Sequence, residues 1–122
     1  VGREVVRALR ARGLAVRGAG SSAPDGVPCV PLDFRDERTF APAASGCSAV
    51  FLMRPPPISD VKRTLNPFVD VARREGVRQV VFLSVVGADR NPIVPHHKVE
   101  RHLATFDGAV TILRPGFFAQ NF

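Results

Sequence analysis

Few side chains in this sequence are suited to move a proton near neutral pH. The 122 residues contain three histidines and no tyrosine, so a tyrosine acid, base or nucleophile is excluded within them. His96 and His97 are adjacent, and imidazole titrates in the range that a proton donor needs, although paired histidines at a helix start are more often surface residues. A metal site from these two and His102 is not favoured, because neither HExxH spacing nor a carboxylate cluster accompanies them.

Two other polar residues are candidates for contact with a substrate or a cofactor. Ser84 follows the most strand-like run of the chain and can donate a hydrogen bond, but no Asp and His pair supports it as a nucleophile. Lys98 is one of two lysines in a chain that has 17 basic residues, which suggests a specific role. The alternative for Lys98 is an ordinary solvated lysine on a helix.

The composition predicts one soluble domain without a membrane or nucleic-acid partner. A length of 122 residues fits a single domain, and no apolar run approaches the ~18 residues of a membrane helix. The net charge of +6 comes mostly from arginines that are spread along the chain and mixed with acids, so we attribute it to the base composition of the genome. Cys29 and Cys47 form no CxxC pair, which favours buried thiols in a reducing, cytoplasmic compartment.

Hydrophobic periodicity divides the chain into alternating helices and short apolar strands. The helix capped by Ser59 and stopped at Gly76 has the clearest apolar stripe, and Pro67 is expected to kink it. Continuous apolar strands between helices predict an α/β fold, a doubly wound parallel sheet with helices on both faces. The predicted helices are 2–12, 37–44, 59–76 and 95–106, and the predicted strands are 14–19, 27–32, 48–53, 77–86 and 109–113.

Sheets of this kind bind ligands where the carboxyl ends of their strands meet. The residues that follow the predicted strands are therefore expected to converge on one rim, although they are far apart in sequence. These positions are Ser21 with Ser22, Asp33, residues 54–57, residues 84–87 and residues 115–118.

Six segments carry a more specific signal in their order and spacing. They are residues 1–6 (VGREVV), 32–36 (LDFRD), 50–56 (VFLMRPP), 81–88 (VFLSVVGA), 98–103 (KVERHL) and 112–122 (ILRPGFFAQNF). Together they resemble the NmrA-like branch of the atypical short-chain dehydrogenases/reductases, which are Rossmann-fold NAD(P)-binding proteins. Each segment alone is a weak indicator of the family, but together the six segments extend over nearly the whole chain.

The resemblance implies a phosphate cradle at the start of the chain. Gly2 is similar to the third glycine of the family's GxxGxxG turn, where glycine lets the backbone approach a pyrophosphate at a helix N-terminus. The alternative is that Gly2 is simply a residue at the chain end. The family's first strand and its substrate lobe have no counterpart in residues 1–122, so we expect a partial NAD(P)-binding domain. The missing central strand would leave a slot beside the strand at 48–53, and we expect the isolated segment not to be a stable monomer.

The resemblance also implies where the cofactor's adenosine half would lie. Ser21 and Ser22 occupy the position that sets cofactor preference, where relatives carry an arginine for NADP or an acid for NAD. Hydroxyls without an acid favour NADP weakly over NAD, and an ordinary polar turn is the alternative. Asp33 is similar to the family residue beside the adenine, with a helix-capping turn acid as an equal alternative.

The remaining implied contacts surround the nicotinamide and its ribose. Lys98 is similar to the lysine of the YxxxK motif, with Val94 standing where the tyrosine would be, and it would contact the ribose or the amide. Without the tyrosine, the weak candidates for catalysis are Lys98, His97 and Ser84. The segments implied to line the cofactor are Leu52, Met53, Arg54 and Pro55, or a stiff loop instead, together with Pro115, Gly116 and Phe117.

Two functions are consistent with these residues. The first is an NAD(P)H-dependent oxidoreductase that transfers a hydride to a quinone-like or other electron-poor small molecule, because such acceptors need little acid catalysis from the protein. The second is a non-catalytic NAD(P)-sensing regulator with a protein partner, as in the founding members of the family. The sequence does not set the substrate or the oligomeric state.

Overall fold

Helices and parallel strands alternate along the chain, in a computed structural model that describes residues 2–20 and 26–115. The helices are α1 (Gly2–Ala11), α2 (Phe40–Ala44), α3 (Leu65–Arg74) and α4 (Pro95–Leu103), with 3-10 turns at Glu37–Thr39 and Val61–Arg63. The strands are β1 (Gly18–Ala19), β2 (Cys29–Val30), β3 (Ala49–Met53), β4 (Gln79–Leu83) and β5 (Ala109–Leu113).

The strands form two separate parallel sheets among the described residues. One sheet pairs β1 with β2, and the other has the order β3-β4-β5. A doubly wound sheet has the strand order 3-2-1-4-5-6. The neighbours β1 and β2 match its strands 2 and 3, and the order β3-β4-β5 matches its strands 4, 5 and 6. The predicted Rossmann-like α/β fold is therefore confirmed, in an incomplete form.

The chain divides into two compact units, Val1–Ala43 and Ala44–Phe122. In the first unit, Asp36 begins the 3-10 turn, because its carboxylate accepts a hydrogen bond of 3.1 Å from the backbone N–H of Arg38. The turn leads into α2, whose first residue, Phe40, is fully buried.

Both strands of the first unit are shorter than the predicted 14–19 and 27–32. Proline cannot donate to a ladder, and β2 lies between Pro28 and Pro31, so pairing stops on both sides. Cys29 is exposed and Cys47 is half-buried, so the prediction of two buried thiols was wrong.

The start of α3 also differs from the prediction. Ser59 does not cap the helix, which begins at Leu65 after the separate 3-10 turn. Pro67 lies in the first turn of α3, where the missing N–H has no intrahelical partner to lose, so it produces no kink within the helix. The predicted helix is thus split just before the proline.

The second unit has its core between the three-stranded sheet and the helices α3 and α4. Alternate strand residues such as Leu52, Val80 and Phe82 are buried, as are Val99 and Leu103 of α4. The ring of Phe82 packs on His96 of α4. On the opposite face of the sheet, the residues of β3 and β4 such as Phe51 and Val81 are half-buried, and Thr111 and Leu113 of β5 are exposed. No helix among the described residues is long and apolar enough to cross a membrane.

Candidate functional site

The three strands of the second unit end at the same level. Met53, Leu83 and Leu113 are partners in register, so the next residue of each strand stands on one carboxyl edge of the sheet. Those residues are Arg54, Ser84 and Arg114. The predicted convergence of strand-end residues is therefore present for the strands of this unit.

A carboxylate on α4 joins two of these strand ends. The Ser84 hydroxyl donates a 2.5 Å hydrogen bond to Glu100 Oε2, and Arg114 binds both carboxylate oxygens, through Nε at 3.1 Å and Nη2 at 2.5 Å. The Ser84 backbone N–H donates to the Leu113 carbonyl at 2.7 Å, so β4 and β5 stay paired one residue beyond their ends. We call Ser84, Glu100 and Arg114 the edge cluster.

The edge cluster keeps Glu100 ionised although it is largely buried. Its side chain is 8% exposed and that of Arg114 is 37% exposed. Burial raises the pKa of Glu100, but the hydrogen bonds from Arg114 and Ser84 and the positive charges of Arg114 and His97 outweigh it, so the pKa lies below its ordinary value. The cluster is therefore a charged pair with a fixed bidentate geometry.

The two adjacent histidines lie in the first turn of α4 and differ in their surroundings. His97 Nδ1 lies 2.7 Å from the Ala88 carbonyl, which only accepts, so Nδ1 carries the proton of this bond. Its other ring nitrogen, Nε2, makes no hydrogen bond to the described residues. His96 packs on Phe82 with ring centres 5.8 Å apart, and burial together with the charge of Arg54 lowers the pKa of His96.

Arg54 holds the proline loop that follows β3. Its Nη1 donates to the carbonyls of Pro55 at 3.3 Å, Pro56 at 3.1 Å and Ile58. Its Nε is buried and has no hydrogen-bond partner among the described residues. The loop is therefore fixed by its own arginine, as the stiff-loop alternative expects, and the cofactor-lining role of Leu52 to Pro55 stays a prediction.

Lys98 and Pro115 take exposed positions near this edge. Lys98 lies in the first turn of α4, and Val94 is the residue that precedes the helix, with an extended backbone. Pro115 follows Arg114 at the end of the described chain.

The other predicted site residues belong to the first unit or lie outside the described residues. Gly2 is the first residue of the ten-residue helix α1, as the cradle prediction requires. The Asp33 carboxylate accepts from the Arg35 N–H at 2.9 Å and so closes a turn, which is the alternative that the sequence left open. Ser21, Ser22, Gly116 and Phe117 lie outside the described residues, and their roles stay predictions.

The sequence reasoning gave no role to Glu100 or Arg114. The available signal was helical spacing, since Glu100 follows His97 by three residues and His96 by four, and therefore shares their helix face. The ion pair between Glu100 and Arg114 joins a helix to the end of a strand, and no local sequence pattern indicates it.

Comparison with known proteins identifies a family to which this chain is similar and a relative of known name. Residues 1–121 match a family described as NAD(P)H-binding. Over its full length the chain is 31% identical to prestalk A differentiation protein A of Dictyostelium discoideum, of which it covers 43%. The chain thus spans less than half the length of this relative.

Two solved structures show the same arrangement of helices and strands. The NADPH complex of the NADPH-dependent quinone oxidoreductase QOR2 from Escherichia coli has a TM-score of 0.69 and 23% identity, with 80% of this chain and 35% of that one covered. A short-chain dehydrogenase/reductase superfamily protein from Agrobacterium tumefaciens with bound NAD has a TM-score of 0.67 and 25% identity, with 93% and 45% covered.

Proposed function

The chain belongs to the NAD(P)H-binding family, and on that premise we propose that it forms part of an oxidoreductase. The proposed reaction is hydride transfer to a quinone-like or other electron-poor small molecule, in the NmrA-like branch that the sequence resembles. Family membership confirms the NAD(P)-binding reading of the sequence. The substrate class rests on the missing tyrosine, since a quinone needs less acid catalysis than a simple ketone.

The observation that carries this proposal is the common carboxyl edge of β3, β4 and β5, next to the start of α4. Parallel sheets bind nucleotides at this edge, and helix N-termini favour anionic groups. The chemistry of the edge fits an anionic dinucleotide, because Arg54 and Lys98 are cationic and the Glu100 carboxylate is paired with Arg114. The residues we propose to hold the cofactor here are Met53, Arg54, Pro55, Lys98 and Pro115. Ser84 is not among them, because it is 2% exposed and its hydroxyl is bonded to Glu100.

The chain's own residues would hold the cofactor and deliver a proton. A bound nicotinamide supplies a hydride, and the acceptor then needs one proton on oxygen to become a hydroquinone. We propose His97 as the proton donor in place of the absent tyrosine, because Nδ1 is held on Ala88 and the imidazolium form carries a second proton on Nε2, which it can give up to become the neutral Nδ1–H tautomer. Ser84 is less suited, because its own proton is donated to Glu100. Lys98 is proposed as a ribose or amide contact.

Quinone-dependent oxidation of NADPH by the purified full-length protein, which is used in every experiment below, tests the proposal. We expect NADPH absorbance to fall only when protein and quinone are both present. The alternative function, a non-catalytic NAD(P)-sensing regulator, is also favoured by the missing tyrosine and predicts saturable cofactor binding without turnover on a panel of quinones. Turnover would exclude that alternative, and binding alone would overturn the oxidoreductase proposal.

The role of His97 has its own test in the same assay. His97→Asn keeps a side-chain donor for the Ala88 carbonyl but cannot supply a titrating proton, so we expect kcat to fall about 100-fold, at the lower end for general acid catalysis. His102→Gln is the matched control on the same helix, because His102 contacts Asp70 at 2.8 Å away from the edge. Equal rates for the two variants would contradict the assignment.

We propose NADPH rather than NADH as the preferred cofactor. The hydroxyls of Ser21 and Ser22 can accommodate a 2′-phosphate and no acid stands there to repel it. The two structural neighbours do not decide the matter, since one is complexed with NADPH and the other has NAD bound. Titration with both cofactors should give the lower Kd for NADPH, and tighter binding of NADH would reverse the preference.

A further inference from the structure

We propose that Glu100 is a positioning residue, which fixes the first turn of α4 and with it the imidazole of His97. Ser84 and Arg114 act through Glu100 and not directly on a substrate. This inference rests on the proposed function for its kinetic consequence, but its geometric part concerns the protein alone and can be measured without turnover.

The first argument is that the cluster connects three elements at one point. Glu100 belongs to α4, Ser84 follows β4 and Arg114 follows β5, and the three are joined by hydrogen bonds of 2.5, 3.1 and 2.5 Å. Ser84 is 2% exposed, so its hydroxyl is not offered to a ligand in solution. The Ser84 hydroxyl is bonded to Glu100, so any effect of Ser84 on the site acts through the Glu100 carboxylate.

The second argument is the position of Glu100 relative to His97. Residues three apart on a helix lie on the same face, about 5–6 Å apart at Cβ. The charge of His97 helps to lower the pKa of Glu100, so the two side chains are electrostatically coupled. His97 is held at Nδ1 by Ala88, and Ala88 is fully buried in the loop between β4 and α4. The imidazole therefore depends on two anchors, the loop carbonyl and the helix that Glu100 ties to the sheet edge.

The third argument is energetic. A buried ion pair contributes little net stability compared with apolar packing of the same volume, because both charges lose hydration. The pair instead fixes the orientation of the Glu100 carboxylate, because a bidentate arginine and a serine hydroxyl allow only a narrow range of carboxylate orientations. A catalytic acid needs such support, because small misplacements of a reacting group reduce rates strongly.

The kinetic test is a double-mutant cycle in the purified protein with quinone and NADPH. We expect Glu100→Gln to lower kcat about 10-fold and Ser84→Ala to lower it about 3-fold, with the Kd for NADPH changed less than about two-fold. Because Ser84 acts through Glu100, adding Ser84→Ala to Glu100→Gln should change kcat no further. Multiplicative effects, or unchanged kcat in folded Glu100→Gln, would overturn the proposal.

Asp70→Asn is the matched control, because Asp70 also anchors α4, through His102 on its other side. We expect kcat of this variant to stay within about two-fold of the wild type. If Asp70→Asn lowers kcat as much as Glu100→Gln does, general loosening of α4 explains the effect and the proposal fails. If Glu100→Gln does not fold, Ser84→Ala carries the test, and a wild-type kcat for Ser84→Ala refutes it.

A second readout separates this inference from the proposed function. Imidazole NMR in mildly alkaline solution reports which ring nitrogen carries the proton. The proposal expects His97 as a single Nδ1–H tautomer in the wild type and in Asp70→Asn, and a mixture in Glu100→Gln. An unchanged tautomer in Glu100→Gln would refute positioning even in an active enzyme. A protein without quinone turnover that still shows the expected mixture would contradict the proposed function alone.

Discussion

Removing the guanidinium of Arg114 should lower the free energy of unfolding, because the largely buried carboxylate of Glu100 loses the charge that neutralises it. In Arg114→Met the side-chain volume is largely kept, while Glu100, 8% exposed, loses both hydrogen bonds from the guanidinium and retains that from Ser84. Breaking a buried ion pair by removing one partner typically costs ~3–5 kcal/mol. Because Arg114 is 37% exposed, water solvates part of the carboxylate once the guanidinium is removed, and we expect a loss below that range at neutral pH.

The loss in the free energy of unfolding caused by Arg114→Met should become smaller as the pH falls. The pKa of Glu100 in the folded wild type lies below its ordinary value of 4.5, so the stabilisation by its pairing is complete above that value and is lost as pH falls through the lower folded-state pKa. In Arg114→Met, burial raises the pKa of Glu100, and the carboxyl is protonated sooner. The gap in stability between the variant and the wild type should therefore shrink on acidification.

Urea unfolding followed by circular dichroism over a pH series measures this gap. Arg114→Met with Glu100→Gln serves as the control, because a neutral amide no longer needs the guanidinium, and the double variant should be more stable at neutral pH than Arg114→Met alone. A gap that does not change with pH, or a double variant that is the less stable of the two, would refute the account of Glu100 as a paired, buried carboxylate.

Three further predictions concern packing and charge in the second unit. Val99→Ala should lower the free energy of unfolding by roughly 2 kcal/mol, because Val99 is fully buried and the lost methyl groups leave a cavity. Gly108→Ala should destabilise by at least about 1–3 kcal/mol, because the added Cβ would stand 2.2 Å from the backbone carbonyl oxygen of Arg78. The NMR titration of His96 should have its midpoint below 6.5, and Arg54→Met should raise it, because burial and then the charge of Arg54 lower this pKa.

Each of these predictions has a contrasting outcome or control. Val86→Ala, at a position 65% exposed, should change stability by less than about 0.5 kcal/mol, and equal losses at Val86 and Val99 would contradict the described core. A Gly108→Ala variant as stable as the wild type would contradict the close approach to Arg78. The titration of His102 should not respond to Arg54→Met, so a common shift of both histidines would point to a global effect.

The elements of the second unit could be predicted well because each has its own periodic signal. β4 and β5 carry apolar runs of strand length between breaks, and α4 begins with a proline in its first turn, where proline is favoured. The error at Ser59 arose from treating a serine before an apolar stripe as a cap. Pro67 decided the boundary instead, because the helix could not extend a full turn ahead of it without losing a hydrogen bond.

The short strands and the edge cluster show what the sequence could not provide. An apolar run such as residues 14–19 is compatible with a strand, but the length of β1 depends on how many N–H groups its partner β2 offers between two prolines. Glu100 and Arg114 are 14 residues apart and belong to different elements, so no local pattern indicates their pairing. The parallel register of β4 and β5 places Arg114 beside Ser84, which itself binds Glu100. Ser84 was correctly singled out as a hydrogen-bonding residue, but its partner is a buried carboxylate within the protein.

Hydrogen exchange of the purified protein with and without NADPH tests most directly whether the carboxyl edge of the three-stranded sheet binds the cofactor. We predict that saturating NADPH slows exchange in the loops after β3 and β4, at residues 54–58 and 84–88. Exchange at the opposite edge, around Ser48 and Arg78, should remain unchanged. Protection confined to that opposite edge, or no protection at any NADPH concentration, would contradict the account.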